Sequence, residues 1–308
     1  MEWKGVMPAI TSGFDSSLKL DFSFIAEHCA WLVDNGCTGI VLLGSLGEGA
    51  TLTFDEKLAV AKTCVEAVGK HVPVVAAISS LSTREAVDLA KALTDLSCQG
   101  LMVLPPYVYL GDWRETKAHI SAVLRASPLP CMLYNNPVSY GTDFLPGHIQ
   151  ELAREHGNLA AVKESSTDVR RVTAIRALLG DRLALFIGVD DEIVEGIGVG
   201  AVGWIAGLAN ALPRESVALF DLARKDPAKA FELYRWFLPL LRMDTVPKFV
   251  QLIKLVQQEV GMGVARVRPP RLELAGEELE STRALIRKIL SKRPEYCRTP
   301  TRQVTYAR

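Results

Sequence analysis

No sign of charge dominates this chain: of its 308 residues, 35 are Lys or Arg and 35 are Asp or Glu. A neutral balance sets up no long-range field toward nucleic acid or an anionic membrane, so neither is an expected partner. No apolar run approaches the roughly 20 residues that a membrane-spanning helix needs. The opening Met1-Glu2-Trp3-Lys4-Gly5 runs directly into strand-like sequence, without the zones of a secretory leader. The six cysteines (Cys29, Cys37, Cys64, Cys98, Cys131 and Cys297) contain no C-x-x-C pair. Five of them sit in apolar helix or strand contexts, as small buried hydrophobes do in a reducing compartment. A cytoplasmic location is therefore the expectation. The five histidines are equally scattered, with no H-x-x-x-H or H-E-x-x-H grouping, and no metal site is expected. One glycine-rich string, Gly198-Val199-Gly200-Ala201-Val202-Gly203, matches G-x-G-x-x-G but has the wrong polarity. A dinucleotide loop needs a strand before it and a helix after it, whereas here a helix pattern precedes and a strand pattern follows. These glycines fit a tight helix-to-strand turn, and no organic cofactor is expected.

What is present is an alternation. Short β-branched runs predict strands at 6–10, 39–43, 72–78, 100–104, 130–134, 160–163, 184–188 and 202–206. Several are apolar throughout, as parallel strands covered on both faces are. Helical patterns fill the gaps and carry start signals. Thr53 and Ser82 each precede a glutamate by three residues, Glu56 and Glu85, which is the spacing of a capping box. After the first, Leu58, Ala61, Val65 and Val68 share one stripe, and Gly69 suits a left-handed helix end. Eight strand–helix units within about 225 residues predict an α/β fold, a (β/α)8 TIM barrel. An open doubly wound sheet is the architectural alternative. Beyond Pro213 only helices are predicted, at roughly 214–224, 227–241, 246–260 and 275–291. The expected organisation is a catalytic barrel over 1–225, a C-terminal helical extension over 226–291 and a polar tail over 292–308. That tail is either disordered or docked on a neighbouring subunit.

Chemistry-bearing residues cluster at predicted strand ends, which in a barrel open onto the catalytic mouth. Lys163 closes the apolar run Leu159-Ala160-Ala161-Val162. Burial disfavours an ammonium and lowers its pKa, leaving a carbonyl-seeking nucleophile. A structural ion pair with Glu164 is the alternative. Gly44-Ser45-Leu46-Gly47-Glu48 follows the second strand, where amides and the Ser45 hydroxyl suit a carboxylate. An ordinary βα turn accounts for the pentapeptide equally well. Tyr134, before Asn135-Asn136-Pro137, is placed to move a proton, especially beside a hydroxyl such as Ser45. It is otherwise a packing residue before a proline-fixed turn. The 29-residue step from Tyr134 to Lys163 is one βα unit, so phenol and amine should share one end of adjacent strands. After the seventh strand, Gly188 suits close backbone approach to a ligand, while Asp190 or Asp191 reads as the N-cap of the next helix. Of Tyr107 and Tyr109, one is expected to face the site or a partner subunit.

Together these strings resemble the dihydrodipicolinate synthase and N-acetylneuraminate lyase superfamily of lysine-dependent barrels, over about residues 5–290. The motifs G-[ST]-x-G-E, Y-N-x-P-x-x-x-G, K-E-[ST]-S and G-x-D-D occur in the family's order and spacing. The resemblance implies that Lys163 forms a Schiff base, Tyr134 is the general acid/base and Ser45 holds a substrate carboxylate. By the same resemblance Gly44, Leu46 and Gly47 form the carboxylate loop. Asn136, Ser139 and Tyr140 border the substrate, as do Gly188, Ile205 and a tyrosine from 107–109. It also implies a small 2-oxo acid or cyclic imine acid substrate, no cofactor, and a homotetramer built as a dimer of dimers.

Departures narrow the reaction. Synthase members usually carry two threonines where this chain has Ser45-Leu46, and an arginine where it has Ser139. Val108 also separates Tyr107 from Tyr109. The strings 134–141, 163–171 and Val267-Arg268-Pro269-Pro270-Arg271 are similar to Δ1-pyrroline-4-hydroxy-2-carboxylate deaminases of bacterial hydroxyproline catabolism. The expected reaction is therefore conversion of that cyclic imine acid to 2-oxoglutarate semialdehyde and ammonia. The alternatives are 4-hydroxy-tetrahydrodipicolinate synthesis, a 2-oxo-3-deoxy sugar acid or N-acetylneuraminate-type aldolase, and a non-catalytic barrel that binds a small acid.

Overall fold

The computed structural model describes residues 1–294. Most of the predicted tail lies outside the described residues. Eight parallel strands form the predicted barrel: β1 (Gly5–Pro8), β2 (Ile40–Leu42), β3 (Val74–Ile78), β4 (Gly100–Val103), β5 (Cys131–Asn135), β6 (Leu159–Glu164), β7 (Ala184–Ile187) and β8 (Gly203–Ala206). Neighbours pair in chain order, and β1 pairs β8 with Gly5 opposite Gly203. The ring closes between β1 and β2: Thr38 N donates to Val6 O at 2.8 Å and Ile10 N donates to Val41 O at 2.8 Å. That closure excludes the open-sheet alternative.

Every residue of β2, β3, β4 and β5 is buried, which is why these segments read as unbroken apolar runs. Trp204, Phe186 and Met7 are among the large side chains with almost no exposure. The Thr53 capping box forms in full before the helix Phe54–Val68. Two local expectations need correction. Gly69 ends that helix with right-handed dihedrals, because its amide simply continues the ladder to Val65 O at 2.9 Å. Ser82 caps Glu85 N at 3.2 Å, but the Glu85 carboxylate lies 3.8 Å from the buried Lys57 amine, leaving half a capping box.

The chain then adds the helices Pro213–Lys225, Pro227–Leu241, Phe249–Glu259 and Gly276–Leu290. A 3-10 turn, Arg242–Thr245, joins the second and third. The helix Ile193–Gly198 precedes β8, with Gly200 at φ +101° in the link, so the glycine string does serve a helix-to-strand turn. Among the described residues no helix is long and apolar enough to cross a membrane. No group of three or more metal-ligating side chains occurs there either.

Candidate active site

β5 and β6 pair in parallel with Tyr134 directly opposite Lys163. In-register residues of neighbouring strands point the same way, so phenol and amine share one face. Each strand ends one residue later, which sets the pair at the C-terminal mouth. The Lys163 amine lies 3.9 Å from the centroid of the Tyr134 ring, and only 6% of the residue is exposed. Burial pushes its pKa below the ordinary lysine value, opposed by the charges of Tyr140, Asp244 and Asp190. The alternative ion pair with Glu164 does not form. Adjacent strand residues face opposite ways, and Glu164 instead accepts from Asn135 Nδ2 at 3.0 Å and Ser166 N at 2.7 Å.

Gly188, just past β7, makes room for the lysine. A Cβ there would stand 2.7 Å from Lys163 Cγ and overlap the Ser165 hydroxyl. The Tyr134 hydroxyl accepts from Asn136 Nδ2 at 3.0 Å, while Asn136 Oδ1 accepts from Ser139 N at 3.0 Å and caps the short helix Pro137–Tyr140. One asparagine thus fixes both the phenol and the turn that presents Tyr140. Burial raises the pKa of both phenols, so they are protonated at neutral pH.

Ser45 does reach a phenol, though its hydrogen-bond partner is Tyr140 rather than Tyr134. Tyr140 packs edge-on against Tyr134, with centroids 5.7 Å apart, and lies 5.9 Å from Tyr107. Ser45, Tyr140 and Tyr134 therefore stand in succession, a hydrogen bond joining the first two and ring packing the second two, with Lys163 over the Tyr134 ring. The 44–48 turn is fixed at its far end by Glu48, which is fully buried at φ +53°. Its carboxylate takes hydrogen bonds from the buried Lys254 amine and, at 2.9 Å, from Arg268 N. Gly47 faces inward: a Cβ there would stand 2.8 Å from Ile10 O.

These groups line a cavity of about 530 Å³. Gly44, Ser45 and Leu46 line it, as do Asn136, Ser139 and Tyr140, together with Gly188, Ile205 and Tyr107. Gly47 and Tyr109 do not. Tyr109 is 60% exposed and donates to the Glu115 carboxylate at 3.0 Å, so Tyr107 is the tyrosine of the pair that reaches the cavity. Asp190 is not the expected helix cap. It is buried in a 3-10 turn, Asp190–Glu192, and accepts from Trp204 Nε1 at 3.0 Å, Gly207 N at 2.9 Å and Leu208 N at 2.6 Å. Asp190 therefore ties the β7 end to the β8 loop. Asp191 does not cap the helix either; its carboxylate lies 3.4 Å from Arg242 Nε.

Asp244 and Arg271 also stand on the cavity wall, and no strand-end motif in the sequence points to either. They come from the helical extension, where no strand end marks a site. The Val267–Arg271 string was the one trace of the second.

The class defined so far is a parallel barrel with an unpaired buried lysine facing a phenol at its mouth. Comparison with known proteins makes this specific. Residues 2–289 match the model of the dihydrodipicolinate synthetase family, and the chain belongs to that family. It is 33% identical over 214 residues to a 4-hydroxy-tetrahydrodipicolinate synthase of Clostridium perfringens, covering 70% of this chain and 73% of the relative. It is 32% identical over 269 residues to the Agrobacterium fabrum protein of the same name, covering 87% and 92%. A solved dihydrodipicolinate synthase from Bacillus anthracis superposes with a TM-score of 0.90 at 27% identity, over 96% of this chain and all of that one. A prophage protein of the same family from E. coli K12, solved with pyruvate, gives 0.88 at 25% identity over 94% and 99%.

Proposed function

We propose that this chain is a class I lysine-dependent lyase in which neutral Lys163 condenses with the carbonyl carbon of a small 2-oxo acid. The supporting observation is the buried amine that has no carboxylate partner and lies against Tyr134 in strand register. Ser45 and the amides of the 44–48 turn hold the substrate carboxylate. The amine adds to the carbonyl, water leaves, and the protonated Schiff base withdraws electrons from the adjacent carbon. Tyr134 gives its proton to the hydroxyl that leaves as water and, as the phenolate so formed, takes one back from that carbon, with Tyr140 and Ser45 extending its path.

The names of the relatives favour 4-hydroxy-tetrahydrodipicolinate synthesis, in which pyruvate and an aldehyde are consumed, over the deaminase expected from the shorter strings. The cavity also supports this, since Arg271 supplies a cation that Ser139 cannot. The deaminase is the second reading, favoured by the uncharged Asn136–Tyr140 edge that could meet a substrate hydroxyl. There Lys163 attacks the cyclic imine, the ring opens, the hydroxyl departs as water, and hydrolysis yields ammonia and 2-oxoglutarate semialdehyde. We further infer a homo-oligomer, a tetramer by family resemblance, because apolar Val108, Leu110 and Val138 are 64–75% exposed beside the mouth.

The deciding experiment supplies pyruvate plus aldehyde, a 4-hydroxy-pyrroline acid and deoxy sugar acids, following pyruvate and ammonia together. Pyruvate consumption supports the synthase, ammonia release the deaminase and pyruvate release an aldolase. Ligand binding with no turnover and no borohydride adduct at Lys163 rejects the lyase reading altogether.

A further inference from the structure

The reaction outlined above leaves a carboxyl on the cavity wall without a task. Asp244 stands in the 3-10 turn between the helices Pro227–Leu241 and Phe249–Glu259 and lines the cavity with Lys163 and Gly207. Its carboxyl lies against the loop after β8. A Cβ at Gly207 would stand 2.7 Å from Asp244 Cγ and closer still to its oxygen, so only glycine leaves the carboxyl its place. The same Gly207 donates its amide to Asp190 at 2.9 Å. No cation forms an ion pair with Asp244 among the described residues; the charges it feels are Asp190, Lys163 and Asp191.

Lys163 is thereby flanked by two kinds of acid. The phenols Tyr134 and Tyr140 come from β5 and the helix after it, and the Asp244 carboxyl comes from the β8 side. One proton donor cannot serve both ends of the chemistry at once. While Tyr134 handles the proton on the carbon next to the Schiff base, the following carbon carries an oxygen that must gain a proton. We propose that Asp244 is a second catalytic acid, protonating the substrate oxygen on the carbon beyond the enamine carbon. This rests on the Schiff-base reading of Lys163.

The step balances in both reactions considered. In the condensing direction the enamine carbon forms a bond to an aldehyde carbon. The carbonyl π pair moves onto oxygen, which takes the Asp244 proton. In the dehydrating direction the C–O bond breaks with its electron pair, and the oxygen leaves as water with that proton. In either case the Asp244 carboxylate regains a proton from solvent. Burial, followed by the Asp190 charge, holds the Asp244 carboxyl well above the usual carboxylate range, as a donor at neutral pH requires.

The test uses the full chain and two partial readouts. Asp244→Asn should form the borohydride adduct of pyruvate at Lys163 as fast as the parent within about twofold, and should still exchange the pyruvate methyl protons in heavy water. Turnover of whichever complete substrate the parent uses should fall by roughly 10²–10⁴-fold, the scale of acid–base catalysis. Asp244→Ser, smaller and equally unable to serve as this acid, should show the same split. Unchanged turnover overturns the proposal. So does a parallel loss of adduct and turnover, which would make Asp244 a positioning residue for the lysine. A parent chain that forms no adduct instead removes the Schiff-base reading beneath it.

Discussion

Lys163 and Lys254 are both buried, at 6% and 2% exposure, and burial pushes both amines below the ordinary lysine pKa. They differ in company. Lys254 meets the Glu48 carboxylate and donates to Arg266 O at 2.8 Å, with the Phe14 ring 4.6 Å away. Lys163 has a phenol face and no ion pair. Lys57, the third buried lysine, also has a carboxylate, Glu85 at 3.8 Å. Desolvation alone therefore does not mark a nucleophile, since two of the three lysines spend their charge on a fixed partner. The mark is desolvation without a counterion, beside an open cavity.

The largest test of this contrast applies one substitution to both positions. Lys254→Met strands a buried Glu48 charge and should cost about 3–5 kcal/mol of stability in denaturant titration. Lys163→Met should abolish turnover and the adduct while raising stability by about 0.5–2 kcal/mol, because it removes a desolvated amine with no partner. Equal destabilisation at both sites would erase the distinction. Next in size, Tyr134→Phe should lower turnover by roughly 10²–10⁴-fold, measured at saturating substrate, with the fold retained. A rate within a few-fold of the parent would relieve Tyr134 of proton transfer.

Gly188→Ala probes the space the unpaired lysine needs. Its Cβ would crowd Lys163 Cγ, and a displacement of about 1 Å can cost on the order of 10²-fold in rate, read as adduct formation by mass spectrometry. The smallest effect is on pH dependence. Since the folded Lys163 pKa lies below 10.5, adduct formation should rise with pH and level off short of that value. In the window between the folded and unfolded values the unfolded chain binds more protons, so stability rises with pH there and the deficit is complete below it. Lys163→Met should flatten that slope. A rate still climbing through pH 10.5 would contradict the depressed amine.

The barrel was legible because covered parallel strands leave the same trace each time: β3 and β4, for example, are apolar runs with every residue buried. The pairing of Tyr134 with Lys163 was legible as one βα unit, since register follows from the repeat. Contacts across loops were not. Ser45 meets Tyr140 rather than Tyr134 because Asn136 caps a one-turn helix that swings Tyr140 inward, and spacing carries no record of that turn. Asp190 looked like a helix cap because an acidic residue after a strand usually is one. Its real partners, Trp204, Gly207 and Leu208, lie 14 or more residues onward. Asp244 and Arg271 enter from the links between the C-terminal helices, a 3-10 turn and a loop beside the mouth, where no strand end marks a site.

The grip of Lys254 and Arg268 on Glu48 has a practical consequence for protein engineers. The turn that presents Ser45 is clasped from more than 200 positions downstream, so its shape is not written in its own pentapeptide. Transplanting 44–48 into another cylinder would carry the letters without the clasp, and a chain cut after β8 would keep its staves but lose its latch.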